Sequence, residues 1–357
     1  MNILITGICG FAGSQIAHRL TEEFSGLTLF GLDNLSRPGS ELNRTQLSAK
    51  GVKIFHADLR IASDLDALPE VDWVVDAAAN PSVLAGVDGK SSSRQLLEHN
   101  CTGTINLLEY CKRVRAGLVL LSTSRVYSMP ALAGLKMQVQ NDAFQPVLSK
   151  DLPLGISTAG ISEEYSTQAP VSLYGATKLA SEALALEYGH TFDLPVRVNR
   201  CGVLAGAGQF GRADQGIFAY WIHSWSEGRP LRYVGFNGLG HQVRDCLHPA
   251  DLTDLLILQI KAGRDASKPS IINVSGGQDS ATSLAQLSAW CTERFGEQTI
   301  SHEAAERPFD LPWVVLDSSL AQKYWAWLPK HTPERIFKEI ATHAEAHPDW
   351  MTISAAY

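Results

Sequence analysis

Tyr174 and Lys178 stand four residues apart in VSLYGATKLASEAL, 171–184, a stretch with helical spacing. That separation puts a phenol and an ammonium on one helix face, one turn apart. A tyrosine titrates at about pH 10, too high for a base at neutral pH. A cation one turn away favours the phenolate and lowers that value. Upstream, the apolar run GLVLLSTS ends in Ser122-Thr123-Ser124. One hydroxyl of that run, a phenol and an ammonium together suit alcohol–ketone chemistry, in which a proton leaves oxygen as a hydride leaves carbon. Tyr127 is a rival phenol, but no lysine follows it by one turn, which leaves it to packing.

A leaving hydride needs an acceptor, and the N-terminus has a place for one. NILIT runs into G-I-C-G-F-A-G, Gly7 to Gly13, and then into a helical pattern with Ile16, Leu20 and Phe24. A glycine-rich turn between strand and helix brings backbone N–H groups to a pyrophosphate. Gly7 permits the tight turn, Gly10 lets the phosphates approach, and Gly13 lets the helix pack on the strand. Asp33 follows Gly13 by twenty residues, at the end of LTLFGLD. A carboxylate there accepts from the adenosine ribose hydroxyls and favours NAD over NADP. Arg37 could hold a 2′-phosphate, but the Asp33 charge would repel that group. Asp58-Leu59, after VKIFHAD, falls at the expected adenine edge. Lys178 would then also reach the nicotinamide ribose.

These residues need a frame, and the first 200 positions supply one. NILITG, LTLFGLD, VKIFHAD, VDWVVDAAA, GLVLLSTS and PVRVNRCGV read as strands, with amphipathic helices between several of them. Near-continuous apolar strands alternating with helices predict an α/β, doubly wound parallel sheet of Rossmann type. Residues 1–204 form the expected dinucleotide-binding domain, with a Pro-, Gly- and Ser-rich excursion over 128–170. Residues 205–357 are read mainly as a smaller substrate lobe, with some segments returning to the first domain. The chain of 357 residues is long enough for this. A net charge of -7 gives no basic surface for nucleic acid. Six scattered cysteines without a C-x-x-C pair argue for a reducing compartment and against disulfides or structural zinc. With no leader-like start and no apolar run near the roughly 20 residues of a membrane span, a cytoplasmic, membrane-free location is expected.

Together, GxxGxxG with Asp33, Asp58-Leu59, Ala77-Ala78-Ala79, LSTSRVY and YGATK resemble the extended short-chain dehydrogenase/reductases, the nucleotide-sugar epimerases and dehydratases. The resemblance spans nearly the whole chain. It implies a catalytic set of Thr123, Tyr174 and Lys178, with NAD tightly bound. It adds Phe11, Ala12, Asn34, Ser36, Arg37, Ala77, Ala78, Ala79, Asn100 and Ser122 to the cofactor site. It places Thr123, Ser124, Gln209, Arg244 and Arg307 around a nucleotide-diphosphate sugar, the two arginines clamping the diphosphate. Dehydratases of this family follow the catalytic hydroxyl with an Asp-Glu pair; here Ser124-Arg125 follows, which argues for simple redox epimerisation.

GLDNLSRPGSELN (31–43), GQFGRADQG (208–216), GHQVRDCLHPADL (240–252) and EIATHAEAHPDW (339–350) are similar to the subgroup that epimerises CDP-paratose at C2. A CDP-sugar is therefore the favoured substrate. A UDP-hexose 4-epimerase would share every catalytic residue, and an idle NAD-binding regulator would have no need of them. The apolar stripes of the helices at 93–115 and 172–192 imply, by the same resemblance, a homodimer or higher homo-oligomer. His343 and His347 are four residues apart, but Ala344 rather than Glu follows the first, so no metal is expected. Trp325, Trp327, Trp350 and Cys9 are assigned to packing.

Overall fold

The computed structural model describes residues 1–354 except 88, 90, 148, 150, 151, 214 and 306. Its centre is a sheet of β1 (Asn2–Thr6), β2 (Thr28–Asp33), β3 (Lys53–His56), β4 (Trp73–Asp76), β5 (Gly117–Thr123), β6 (Val196–Cys201) and β7 (Ile271–Val274). The strand order is β7-β6-β5-β4-β1-β2-β3, with every pairing parallel. The strands are apolar on both faces because helices cover both. Ile3 and Ile5 pack on one side with Ile16 and Leu20 of α1 (Phe11–Glu23). Leu4 packs on the other with Leu107 and Leu108 of α2 (Gly103–Val114). Each such fully buried side chain contributes about 1.5–3 kcal/mol. Chain order reverses between β1 and β4, which opens a crevice above their carboxyl ends.

The expected doubly wound sheet is present. The six runs read as strands all join it, and β7 is an addition. Its IINV is only four residues long and lies in the part of the chain read as irregular. Trp325 and Trp327 pack in the core beneath this sheet. The rest of the later chain builds its own core, in which Trp221 and Tyr233 stack with ring centroids 5.4 Å apart. Strand Val243–Leu247 joins the two parts, pairing with Val203–Leu204, Ala281–Ser283 and Trp313–Val314.

The excursion over 128–170 is not a plain loop. It holds a helix, Met129–Ala133, and a hairpin of Met137–Gln140 with Ala143–Pro146. Asn141 and Asp142 turn the hairpin at φ 50 and 57. Two left-handed residues are what a two-residue hairpin turn needs, and Asn and Asp tolerate that conformation. Leu148, Lys150 and Asp151 of this stretch lie outside the described residues.

The helix predicted around Tyr174 is α3 (Ser172–Phe192). Ser172 opens it with φ 71, and its hydroxyl accepts from the Gly175 N–H at 3.1 Å. A π turn, Glu98–Thr102, precedes α2 and packs with it against α3. The seam is polar and short-chained: the Thr104 and Ser181 hydroxyls are 2.9 Å apart. Among the described residues no helix is long and apolar enough to cross a membrane.

Candidate active site

A crevice of about 530 Å³ lies over the carboxyl ends of β1, β4 and β5 and extends under the later lobe. At one end is the glycine turn. Gly7 has φ 62, and a Cβ there would come within 2.9 Å of the Ala78 Cα. A Cβ on Gly13 would run into the Gly7 carbonyl oxygen, so α1 starts against the turn only without a side chain there. Phe11, Ala12 and Ala77–Ala79 line the same wall.

Asp33 also lines the crevice, but its carboxylate is engaged with the turn. Oδ2 accepts from the Cys9 N–H and Oδ1 from the Leu35 N–H, both at 2.8 Å. Burial pushes this carboxyl up, and those N–H groups oppose the shift. Asp33 therefore shapes the cradle as well as facing it. Asn34 donates to Asp58 at 3.2 Å, and Asp58 pairs with Arg60 at 2.6 Å. Hydrogen bonding from Arg60 holds the Asp58 carboxyl well below its usual range. Ser36 and Leu59 complete this end. Arg37 is turned to the opposite rim: its guanidinium donates to the Phe210 carbonyl and, at 3.3 Å, to Gln215. It bridges this end of the crevice to the loop holding Gln209.

β5 delivers Thr123, the short turn after it Ser124, and the first turn of α3 Tyr174. The Arg125 N–H donates to Thr123 Oγ1 at 3.2 Å, and the Thr123 hydroxyl hydrogen-bonds the Tyr174 phenol. Burial pushes that phenol up to about 12, against the Thr123 hydrogen bond and the Arg125 charge. The cation opposing that rise is Arg125, on the turn that follows β5. Lys178 is 3% exposed, and no described residue hydrogen-bonds its ammonium. Its charge draws down the buried Asp76, whose carboxyl burial pushes up. One turn of helix puts two groups on one face, but the neighbours decide which charges meet.

Two further residues of the expected cofactor set have side chains engaged within the fold. Asn100 lies off the crevice wall: it donates to the Asn80 carbonyl and Thr177 Oγ1, both at 3.0 Å, and accepts from the Asn80 N–H. Its amide braces the π turn against α3. Ser122 lines the crevice only beside its hydroxyl, which donates to Glu182. Glu182 in turn forms a buried ion pair with Arg200 at 2.7 Å.

The other end of the crevice is cationic. Arg244 donates to Asp310 at 2.9 Å, and Arg307 donates to the Ala213 carbonyl at 3.1 Å. Burial pushes the Arg244 guanidinium down, and Asp310 holds it up against Arg307. Gln209 Nε2 is tied to the Leu204 carbonyl at 2.7 Å and Gln242 Nε2 to the Val234 carbonyl at 2.7 Å. Each thereby keeps a buried carbonyl oxygen with no hydrogen-bond partner among the described residues. Gln242 was not anticipated. Its signal was its place two residues before Arg244, at the entry to the same strand.

Outside the crevice, His248, His331 and Glu339 come together. His248 Nδ1 accepts from the Ala250 N–H at 3.1 Å, so its Nε2 carries the proton toward Glu339 and offers no lone pair to an ion. His343 stacks on His347 at 4.2 Å and meets His223. Trp350 stacks on Phe210 at 5.3 Å and donates to the Gln209 carbonyl, bracing the crevice loop from outside.

The glycine cradle, its backing strand and the phenol–hydroxyl pair define a dinucleotide-dependent oxidoreductive site on a doubly wound sheet. The NAD dependent epimerase/dehydratase family model matches residues 3–275. The chain belongs to that family: NAD is its cofactor, and it is an enzyme of the epimerase kind, an isomerase. The residues present fit that cofactor: Gly7, Gly10 and Gly13 line the crevice without side chains at the start of α1, with the Asp33 carboxylate beside them. The chain is 29% identical over 299 residues to the CDP-paratose 2-epimerase of Salmonella typhi, covering 80% of this chain and 82% of that one. It is 28% identical over 346 residues to the UDP-glucuronate 4-epimerase of Thermodesulfobacterium geofontis, covering 94% and 93%. Among solved structures, the Thermus thermophilus UDP-glucose 4-epimerase complex with NAD is similar at a TM-score of 0.73 and 25% identity, over 97% of this chain and 99% of that one.

Proposed function

We propose that this chain epimerises a nucleotide-diphosphate sugar, and that it inverts C2 of CDP-paratose to give CDP-tyvelose. One observation carries the reading: Thr123 and Tyr174 face a crevice with a dinucleotide cradle at one end and Arg244 and Arg307 at the other. The C2 assignment is supported by the likeness to the Salmonella typhi relative. Epimerisation rather than dehydration is supported by Arg125, which stands where a dehydratase would need an acid. A UDP-hexose 4-epimerase is the second reading, favoured by the 4-epimerase relatives of similar identity.

The chemistry follows from the substrate. Paratose and tyvelose differ at C2, and a ketone at C4 acidifies C3 and C5 but not C2. Inversion at C2 therefore needs oxidation at C2 itself. NAD, when bound, accepts the hydride from carbon and supplies one back. Tyr174 Oη takes the hydroxyl proton on the way to the ketone and returns it afterwards. Thr123 Oγ holds the reacting oxygen against the phenol. Arg244 and Arg307 hold the diphosphate while the sugar turns its other face. Asp33, Asp58 and the Gly7–Gly13 turn seat the adenosine half, Lys178 holds the nicotinamide ribose, and Gln209 and Gln242 accept from donors of the nucleotide or sugar. Two domains, 1–204 and 205–357, divide these duties. A homodimer would cover Leu97, Ile105 and Leu173, each about two-fifths exposed, and light scattering checks it.

The test is to incubate the purified chain with CDP-paratose, CDP-glucose, UDP-glucose and UDP-glucuronate and follow each by NMR. Inversion at C2 of CDP-paratose supports the reading. Inversion at C4 alone, in the UDP sugars, overturns it in favour of the second. No inversion, with NAD still bound, would make the chain an idle NAD-binding regulator.

A further inference from the structure

Arg125 is held beside Tyr174 by contacts that do not depend on its charge. It follows Thr123 by two residues on a single 3-10 turn, Ser124–Val126. Its N–H donates to Thr123 Oγ1 at 3.2 Å. Its carbonyl lies so close to Gly175, the residue after Tyr174, that a Cβ there would run into the carbonyl oxygen. The glycine of YGATK thus brings the Arg125 backbone against the first turn of α3. From this position the side chain points into the crevice, where Nη1 donates to the Phe309 carbonyl at 3.0 Å.

The Arg125 backbone is bonded to Thr123, while its guanidinium reaches the Phe309 carbonyl, next in the chain to Asp310, the carboxylate partner of Arg244. It therefore sits between the reacting hydroxyl and the diphosphate clamp, the span a hexose ring must occupy. Arg244 has a carboxylate partner in Asp310, whereas among the described residues the Arg125 guanidinium donates to one backbone carbonyl. Burial pushes the Arg125 guanidinium down only to about 10, so it stays charged at neutral pH and cannot act as an acid.

We propose that Arg125 is a catalytic residue that donates a hydrogen bond to the oxygen on the reacting carbon, sharing it with Thr123 and Tyr174. This rests on the reading that the hexose lies between Tyr174 and Arg244. When hydride adds to the carbonyl carbon, the C=O electron pair moves to oxygen and takes the Tyr174 proton. Arg125 keeps all its protons and stabilises the charge in transit. A cation here also fits epimerisation without loss of water: the position that would deliver an acid proton holds a permanent donor.

The experiment compares Arg125→Gln and Arg125→Lys with the native chain, each as purified with bound NAD. CDP affinity is measured by calorimetry, and CDP-paratose turnover by NMR. The phenol is followed by ultraviolet titration, with Tyr174→Phe subtracted to isolate it. Arg125→Gln is expected to keep its NAD and its CDP affinity. It should lose kcat by about 100- to 1000-fold with little change in KM, and its Tyr174 titration should move up by about one pH unit. Arg125→Lys should restore part of the rate and hold the titration. Unchanged kcat with an unmoved titration would overturn the proposal. So would a parallel loss of CDP affinity and kcat/KM, which makes Arg125 a diphosphate clamp. Loss of bound NAD or early melting in Arg125→Gln would assign the residue to the fold and overturn it as well. If native protein leaves CDP-paratose unchanged, the substrate reading fails while the Tyr174 titration still decides the role of Arg125.

Discussion

Replacing Thr123 with valine removes one hydroxyl and almost no volume. In the structure that hydroxyl accepts from the Arg125 N–H at 3.2 Å and hydrogen-bonds the Tyr174 phenol, one of the two influences opposing its rise to about 12. A hydrogen bond to a charged group contributes about 1.5–3 kcal/mol. Lost from the phenolate alone, that energy raises the phenol's titration by roughly one to two pH units. Below that titration the rate depends on the phenolate fraction, so kcat at neutral pH should fall about 10- to 150-fold. KM should change little on the proposal that Arg244 and Arg307 hold the diphosphate elsewhere. The assay is kcat against pH with CDP-paratose, alongside the ultraviolet titration of Tyr174, with bound NAD measured to show that the cradle is intact. A valine variant within about threefold of the native kcat, with its titration unmoved, would refute the coupling of Thr123 to Tyr174.

Other perturbations have outcomes as definite. Gly13→Ala should lose bound NAD and about 1–3 kcal/mol of stability, since its Cβ meets Gly7 backbone rather than a flexible side chain; dinucleotide release on denaturation and a urea titration measure the two. Glu182→Gln leaves Arg200 buried without a full counter-charge and should cost about 3 kcal/mol in the same titration. Burial first, and then the neighbouring histidines, lower His223 to about 3; His343 is lowered to about 4. Both folded values lie below the unfolded value of about 6.5, so the stabilisation is complete above that pH and is lost as pH falls below it. His223 alone contributes a slope of about 1.4 kcal/mol per pH unit there, and equal urea midpoints at pH ~7 and ~5 would contradict it.

The glycine turn, the six parallel strands and the phenol on its helix were legible because each depends on local constraints. Gly7 needs a positive φ, a doubly covered strand needs apolar residues throughout, and Tyr174 lies within one uninterrupted helical pattern. Pairings over long separations were not legible. Lys178 was assigned to Tyr174 by spacing along the helix, yet its field falls on Asp76, which arrives from β4. Ser122 and Asn100 looked free to meet a cofactor, but their partners Glu182 and Thr177 come from α3. Arg125 read only as a missing acid until Gly175 and Phe309 fixed where it points. β7 and the hairpin at Asn141-Asp142 were too short for a periodic signal.

The account stands or falls on whether hydrogen leaves and returns at the same carbon under the control of Tyr174. CDP-paratose carrying deuterium at C2, incubated in ordinary water, reports this directly by NMR. Inversion at C2 with the deuterium kept in the product, abolished in a Tyr174→Phe variant that still holds its NAD, is the predicted result. Inversion with the deuterium exchanged for solvent hydrogen, or full turnover by Tyr174→Phe, would contradict it.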